Sequence, residues 1–175
     1  GFLSDCETVA LVGPSGAIEW MCLPRSDSQS VFGALLDRDA GSFKLAPADV
    51  DVPAGRRYLP GTNVLETTWM TRMGWLIVRD CLCIGPWHHE DERSGTHRRS
   101  PTDHDADHVL LRTVKCVQGI VELNLDCEPV FDYGRVDSVW DYTGESYNEA
   151  IARSQDNGPE LLLTTDLRVG FEGRR

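Results

Sequence analysis

The stretch Ile120-Val121-Glu122-Leu123-Asn124-Leu125-Asp126-Cys127-Glu128-Pro129-Val130 alternates apolar and polar residues over most of its length. Successive side chains of a β-strand lie on opposite faces, so Val121, Leu123, Leu125 and Cys127 share one face of an extended chain. We expect that face to pack in a core while the acidic face meets water. The pattern therefore predicts a β-strand over residues 120–130.

Turn signals beside this strand predict three hairpins. Residues 108–117 form the expected partner of residues 120–130, because Gln118-Gly119 between them suits a tight two-residue turn. Proline presets φ and glycine accepts positive φ, so Gly13-Pro14-Ser15-Gly16 is a second strong turn. The other two predicted hairpins join residues 8–12 to 17–23 and residues 64–71 to 75–83.

Shorter apolar runs extend the same pattern along the chain. Five more strands are predicted, at residues 43–46, 56–59, 138–142, 161–166 and 168–171. Helical spacing is confined to residues 28–36 and 146–153, where we expect short helices. About ten strands imply two packed sheets. The predicted fold is all-β: an antiparallel β-sandwich of about ten or more strands with one or two short helices, in a single domain over residues 1–175.

Charge and hydropathy exclude two classes of partner. Seventeen Lys and Arg residues against 28 Asp and Glu residues leave a formal charge of −11. That field repels phosphate backbones, so nucleic acid is not an expected partner. The longest apolar runs, such as residues 76–78 and 161–163, are far shorter than the roughly 20 residues that cross a bilayer, and no membrane association is expected.

The six cysteines show no Cys-x-x-Cys pair, and five of them lie in apolar runs. A free cysteine behaves there as a small hydrophobic residue, so we expect thiols rather than disulfides. No charged segment followed by an apolar one stands at the start of the chain. These features predict a cytoplasmic location.

Residues 85–107 are polar, charged and without periodicity, and the segment is longer than a structural connection needs. All five histidines lie in it or at its edge: His88, His89, His97, His104 and His108. A divalent metal site is conceivable around residues 103–108. Their spacing matches no ligand pattern with a known mechanism, however. We therefore expect a mobile surface loop, no metal and no cofactor.

Acid–base catalysis needs a carboxylate pair in a defined site. The acidic residues of the predicted strands alternate with apolar ones and are interpreted as solvent-facing: Glu66, Asp80, Glu122, Asp126 and Glu128. No Gly-x-Ser-x-Gly, His-Glu-x-x-His or phosphate-binding loop is present. No catalytic residue is predicted in this chain.

The segment from Trp20 to Ser28 carries the candidate binding residues. Pro24 ends a predicted strand and delivers Arg25 and Asp27 into a loop, where both offer directional hydrogen bonds to a hydroxylated ligand or a neighbouring domain. The alternative is local: Asp27 or Ser28 caps the predicted helix and Arg25 pairs with it. Trp20 shares its strand face with Ile18 and Cys22, which favours a place in the core.

Five stretches together resemble the opening of glycoside hydrolase family 15 proteins, namely residues 5–12, 16–28, 31–37, 57–67 and 129–135. The segments Trp20-Met-Cys-Leu-Pro24-Arg25-Ser-Asp27-Ser28 and Phe131-Asp132-Tyr133-Gly134-Arg135 belong to them. The resemblance is greatest to the trehalases and glucoamylase-like enzymes of actinobacteria, including mycobacteria. Two positions depart from the family pattern: Ser26 replaces a usual aromatic residue, and Glu19 replaces a common Asp.

The resemblance implies an N-terminal β-sandwich whose partner is a helical (α/α) barrel that carries the two catalytic glutamates and is absent from these 175 residues. It implies that the sandwich supports this barrel and meets trehalose or a related α-glucoside only through it. Arg25, Asp27, Ser28 and Trp20 are then the expected interdomain or substrate-rim residues. Ser26 weakens any role of this loop in stacking on a sugar.

Two other functions stay open. A free-standing carbohydrate-binding module would show exposed aromatic residues in a row on one sheet face, for which Trp69, Trp75 and Trp87 are the candidates. A metal-dependent regulatory domain would use the histidine-rich loop.

Overall fold

The computed structural model describes residues 1–84 and 108–173. Thirteen strands and one helical turn follow in chain order. They are β1 (Phe2–Ser4), β2 (Val9–Val12), β3 (Ala17–Cys22), β4 (Ser30–Phe32), β5 (Ser42–Pro47), β6 (Gly55–Tyr58), β7 (Leu65–Met70), β8 (Gly74–Leu82), β9 (Leu110–Gly119), β10 (Leu123–Glu128), α1 (Phe131–Gly134), β11 (Val136–Tyr142), β12 (Glu149–Ser154) and β13 (Glu160–Thr164). The all-β prediction is confirmed.

The strands form three antiparallel sheets. The first has the order β1-β2-β3-β5-β10, with β4 paired to β3, and the second has the order β6-β7-β8-β9. The third, β11-β12-β13, was not separated from the others by the sequence pattern. The inner faces of the sheets enclose two clusters of apolar side chains, the larger including Leu3, Phe32 and Phe131 and the smaller centred on Trp69. The architecture is a β-sandwich extended by a small third sheet.

Two of the three predicted hairpins are confirmed. β2 pairs with β3 around the Gly13–Gly16 turn, and β7 pairs with β8 from Leu65↔Asp80 to Met70↔Trp75. In both cases the two strands are joined by a short turn, so the local turn signal was sufficient to predict the pairing.

The third predicted hairpin is wrong. β9 pairs with β8 in the second sheet, whereas β10 pairs with β5 in the first, so the chain crosses between sheets after Gly119. Gly119 has a φ of +71°, and a Cβ there would lie 2.0 Å from the carbonyl oxygen of Met73. This glycine is therefore required by close packing on the β7–β8 turn. The alternation correctly indicated a strand at 123–128 but carried no information about its neighbour.

Both predicted helices are also wrong. Residues 28–36 contain β4, in which Val31 and Phe32 are consecutive buried residues that spacing alone does not distinguish from a helical turn. Residues 146–153 contain most of β12, the central strand of the third sheet, where Ala150 and Ala152 alternate with partly exposed residues. The helical turn that does form, α1, was not predicted.

Two acidic residues interpreted as solvent-facing are buried. Glu66 lies on β7 with its side chain only 4% exposed, held by Arg57 and Arg79 at 2.6 and 2.8 Å. Asp80 lies on β8 and pairs with Arg112 at 2.9 Å. Carboxylates are buried in this way only when charged hydrogen bonds compensate their lost hydration. Period-two alternation does not reveal those partners, because they come from other strands.

All six cysteines are free thiols, as the sequence predicts, and Cys22 and Cys127 are buried. Within residues 1–84 and 108–173, no helix is long and apolar enough to cross a membrane. The predicted mobile loop at 85–107 lies outside the described residues.

Candidate functional site

The loop after β3 carries the residues predicted to bind a ligand or a neighbouring domain. Nε of Arg25 donates to Oδ1 of Asp27 at 3.1 Å, and both side chains are exposed, by 54% and 77%. The backbone N–H of Arg25 donates to Oγ of Ser28 at 3.2 Å, and that of Ser28 donates to the carbonyl of Arg25 at 3.0 Å. The local Arg25–Asp27 pair is thus present, while the helix that Asp27 or Ser28 was to cap is absent.

The electrostatics of this loop are those of an exposed ion pair. The hydrogen bond from Arg25, together with its positive charge, lowers the pKa of Asp27 below the ordinary value. Solvent screens such a pair, so it contributes little to folding. A docked partner would remove that screening and make the same two groups strong hydrogen-bonding sites.

The loop is fastened to the turn between β1 and β2. Both the backbone N–H and Oγ of Ser26 donate to the carbonyl of Glu7, at 3.2 and 3.0 Å. Ser26 is one of the two positions at which the chain departs from the pattern of the family it resembles, and here its hydroxyl holds the loop on the domain. Arg25 and Asp27, on either side of it, are left facing outward.

Tyr133 on α1 joins this loop to a distant part of the chain. Its hydroxyl donates to the carbonyl of Ser28 at 3.3 Å, and its backbone N–H donates to Oγ of Ser30 at 2.9 Å. Its ring lies 6.1 Å from that of Trp20, tilted by 36°. Asp132 and Tyr133 both have positive φ, at 48° and 59°, a strained conformation for residues other than glycine. The fold thus brings together two of the stretches that carried the family resemblance.

We call this surface the rim patch, defined as Trp20, Arg25, Asp27, Ser28 and Tyr133. Four of its five members were predicted from sequence. Trp20 was expected in the core but is only half-buried. Its ring packs against the exposed ring of Tyr133. Tyr133 lies in a stretch that carries the family resemblance but was not predicted as a site residue. The sequence signal that could have found it is an aromatic residue within that stretch.

Leu35 and Leu36 add exposed apolar surface near the rim patch. The backbone N–H of Leu35 donates to the carbonyl of Glu19, the neighbour of Trp20 on β3, at 2.9 Å. Both leucine side chains are exposed. These two side chains would add apolar contact area if another domain covered the rim patch.

A buried histidine lies on the other side of the β1–β2 turn. Nδ1 of His108 is 2.9 Å from Oδ2 of Asp5, and its Nε2 is 3.9 Å from Oε2 of Glu7. Burial by itself would raise the pKa of Asp5, but hydrogen bonds from His108 and from the backbone N–H groups of Thr8 and Glu7 outweigh it and lower that pKa. The turn that holds Ser26 is therefore braced from behind by His108.

The described residues contain no metal centre, and the aromatic rings that lie in a row there are not the predicted tryptophans but Trp140, Phe171, Tyr142 and Tyr147, beside the third sheet. Over residues 1–84 and 108–173, no group of three or more His, Cys, Asp or Glu side chains is arranged to hold a metal ion. Of the three tryptophans proposed as a sugar platform, Trp69 is fully buried in the core and Trp75 is 44% exposed. Trp87 lies outside the described residues.

The comparison with known proteins identifies the family. A model of the trehalase-like N-terminal domain matches residues 1–85. The chain is 62% identical over 99% of its length to a trehalase of Mycolicibacterium smegmatis, and 59% identical over 99% to a trehalase of Mycobacterium tuberculosis. The chain belongs to the trehalase-like N-terminal family. The predicted resemblance is confirmed on this point.

More distant relatives carry the same name. This trehalase-like N-terminal chain is 41% identical over 85 residues, 49% of its length, to trehalase 1 of Sulfolobus acidocaldarius. It spans about a quarter of the length of the mycobacterial trehalases, 26% in both cases. No solved structure matches it. The chain is therefore part of what its relatives contain, and three quarters of their length lies outside the match.

Proposed function

We propose that residues 1–175 are the non-catalytic N-terminal β-sandwich of a cytoplasmic trehalase of glycoside hydrolase family 15, and that they support its catalytic barrel. The observation that carries this proposal is the 62% identity, over 99% of the chain, to a trehalase of which the chain spans only 26%. Identity at this level across 99% of the chain supports a shared role within a longer polypeptide.

The rim patch is the surface we assign to contact with the barrel. Within residues 1–84 and 108–173, the exposed side chains of Arg25 and Asp27 form an ion pair only with each other, so no other described residue there requires their charges. Trp20 and Tyr133 supply amphipathic aromatic area, which is enriched at interfaces. Ser28 contributes a carbonyl already oriented by Tyr133. Polar groups held by such a frame suit the edge of a site that binds a hydroxyl-rich sugar.

The chemistry of hydrolysis is assigned to the barrel, with trehalose or a related α-glucoside as substrate. Inverting hydrolysis requires two carboxyl groups about 6.5–9.5 Å apart, one protonating the leaving oxygen and one activating water. The buried carboxylates of the described residues are each held by a basic partner within the sandwich, Glu66 and Asp80 by arginine and Asp5 by His108, and we assign none of them to catalysis. The isolated chain should therefore release no glucose from trehalose. Release that disappears when one of its own acids is replaced would contradict this assignment.

The test compares Arg25→Ala in two contexts. In the isolated chain the side chain is exposed, so the change should alter the free energy of unfolding by no more than roughly 0.5 kcal/mol. In the longer trehalase a desolvated Arg25 would form charged hydrogen bonds across the interface, whose truncation typically costs about 2–5 kcal/mol. We therefore expect Arg25→Ala to leave the stability of the isolated chain nearly unchanged and to reduce trehalose turnover by the longer protein.

Arg153→Ala is the matched control, because Arg153 is also a surface arginine in ion pairs, with Asp141 and Glu160, but lies on the third sheet. It should leave turnover unchanged. If Arg25→Ala instead destabilises the isolated chain by several degrees and leaves turnover intact, Arg25 is a structural residue and the interface role is wrong.

A further inference from the structure

The second sheet ends in a long strand whose outer edge has no partner among the described residues. β9 pairs with β8 from Leu82↔Leu110 to Gly74↔Gly119. In the sheet order β6-β7-β8-β9 it is the last strand, and within residues 1–84 and 108–173 nothing pairs with its other side. About half of its backbone N–H and C=O groups point to that side, as in any edge strand.

Two features blunt this edge in part, the exposed Lys115 and a β-bulge at Val117, where the pairing with β8 shifts between Trp75 and Leu76. Natural edge strands are shortened, or carry proline and several charges, so that other strands do not add to them. β9 has ten residues and no proline, and its charged residues are Arg112 and Lys115. Arg112 is turned into the core towards Asp80, which leaves Lys115 as the one charge that β9 presents to solvent.

β9 also exposes apolar side chains on both of its faces. Leu111, Val114 and Val117 are 46%, 37% and 50% exposed. Val114 follows the parity of the inward Arg112, whereas Leu111 has the opposite parity. A strand that is apolar on both faces is typical of a position inside a sheet with both faces covered.

β6, the opposite edge of the same sheet, shows the contrast. It has four residues, and its side chains tie it to the first sheet. The guanidinium of Arg56 donates to the carbonyls of Val12, Gly13 and Pro14, and the Tyr58 hydroxyl donates to the carbonyl of Phe2 at 2.9 Å. One edge of the sheet is thus short and fastened, while the other is long and open.

We propose that the free edge of β9 receives a β-strand from the part of the longer trehalase that lies outside these 175 residues, so that the second sheet is completed by that part of the polypeptide. This inference rests on the proposed function, because it requires the longer polypeptide. The mycobacterial relatives are about four times as long as the matched region, so they contain ample chain to supply a strand. The added strand would carry apolar residues on both faces, to meet Val114 on one side and Leu111 and Val117 on the other.

A second copy of the chain is the less suitable occupant. Each copy carries a formal charge of −11, and two copies brought edge to edge repel each other. A strand in the same polypeptide is held at high effective concentration and needs no such association.

The experiment measures hydrogen exchange of the β9 amides in two proteins. One is this chain, and the other is a chimaera in which this chain replaces the matching quarter of the Mycolicibacterium smegmatis trehalase. We expect alternate amides of β9 to exchange as unpaired groups in the isolated chain. The same amides should slow by about 100-fold or more in the chimaera, because strand pairing protects them to nearly the stability of the sheet.

Two variants sharpen the comparison. Val114→Lys places a charge beside the apolar side chains of the added strand, so it should weaken the pairing and restore fast exchange in the chimaera. Val52→Lys is the control, because Val52 is exposed and lies outside every strand. It should leave exchange of the β9 amides unchanged.

Five outcomes would overturn the inference. Equal exchange of these amides in the two proteins means that no strand is added. Protection already present in a monomeric isolated chain means that the edge is covered from within these 175 residues. Protection that appears with rising concentration means that a second copy occupies the edge. A chimaera that hydrolyses trehalose with the edge unprotected removes this inference and leaves the proposed function intact, whereas a chimaera whose parts do not associate contradicts both.

Discussion

Arg112 and Asp80 face each other across the pairing of β9 with β8, and Nε of Arg112 lies 2.9 Å from Oδ1 of Asp80, with both side chains fully buried. The two terminal nitrogens of the same guanidinium donate to the carbonyls of Phe43 and Gly16, each at 2.6 Å. The guanidinium also lies over the Phe43 ring, 4.8 Å from its centre. One side chain on the second sheet therefore satisfies backbone acceptors of the first sheet and links the two.

Removing this arginine should be strongly destabilising. Arg112→Met leaves Asp80 as a buried charge without its partner, which typically costs about 3–5 kcal/mol. The double variant Arg112→Met with Asp80→Leu should recover part of that loss, because the pair then leaves no unpaired charge behind. Denaturant unfolding of the isolated chain measures both effects.

Arg38→Ala is the control for this prediction. Arg38 pairs with Glu19 at 3.3 Å but is largely exposed, and such pairs are worth about 0–1 kcal/mol. The prediction is contradicted if Arg112→Met costs no more than Arg38→Ala.

Glu66 should make stability depend on pH in the acid range. Hydrogen bonds from Arg79 and then Arg57 outweigh its burial and lower the pKa of Glu66 below the ordinary value of 4.5. The unfolded chain then binds the proton more readily than the folded one. The stabilisation is therefore complete above about pH 4.5 and is lost as pH falls through the lower folded pKa.

Glu66→Gln removes this contribution. We expect a lower free energy of unfolding at pH 7 and a flatter decline between pH 5 and 3 than in the parent chain, measured by denaturant unfolding at each pH. Asp51→Asn is the control, because it makes the same carboxylate-to-amide change at an exposed residue that pairs with Lys44. Parallel pH profiles for the parent chain and Glu66→Gln would show that the Arg57–Glu66–Arg79 cluster does not stabilise the fold.

Replacing each of two glycines that have nearly equal φ distinguishes the cost of backbone strain from the cost of a steric clash. Gly119→Ala combines a φ of +71° with a Cβ placed 2.0 Å from the Met73 carbonyl oxygen. Gly61→Ala combines a φ of +72° with open space. Positive φ costs a residue with a Cβ roughly 1–2 kcal/mol, so both variants should lose that amount and Gly119→Ala should lose more. Thermal unfolding of the two variants measures the difference, and equal losses would mean that the β7–β8 turn yields to the added carbon.

The cysteines should differ in reactivity. Burial raises the pKa of the Cys127 thiol and of the Cys22 thiol, whereas Cys116 is exposed. Because the thiolate is the reactive form, a thiol reagent at pH 8 should modify Cys116 well before Cys127. Peptide mapping of the labelled chain measures the order. Labelling of Cys127 at the rate of Cys116 in folded protein would contradict the buried position of β10.

Turn residues and apolar–polar alternation predicted the structure best where the interacting residues are close in sequence. The β2–β3 and β7–β8 hairpins followed from Gly13-Pro14-Ser15-Gly16 and Met73-Gly74, because a short turn leaves two strands little choice but to pair. The same reasoning failed at Gln118-Gly119, where the glycine serves a contact with Met73, 46 positions away by residue number. The loop that carries Arg25, Asp27 and Ser28 was predicted because Pro24 ends the strand locally; their role in binding stays a prediction.

The sequence by itself determined the fold class, most strand positions, the family and the loop that carries Arg25 and Asp27, since each of these is written in local pattern or in matched stretches. Tertiary structure alone decided which strands are neighbours, that Glu66 and Asp80 are buried, and that Tyr133 reaches Ser28 and Trp20. The physical reason is that burial of a charge and assembly of a surface depend on partners contributed by other strands. Arg112 reaches Asp80 from 32 residues away and Tyr133 reaches Ser28 from 105 residues away, so no local window contains both members of either pair.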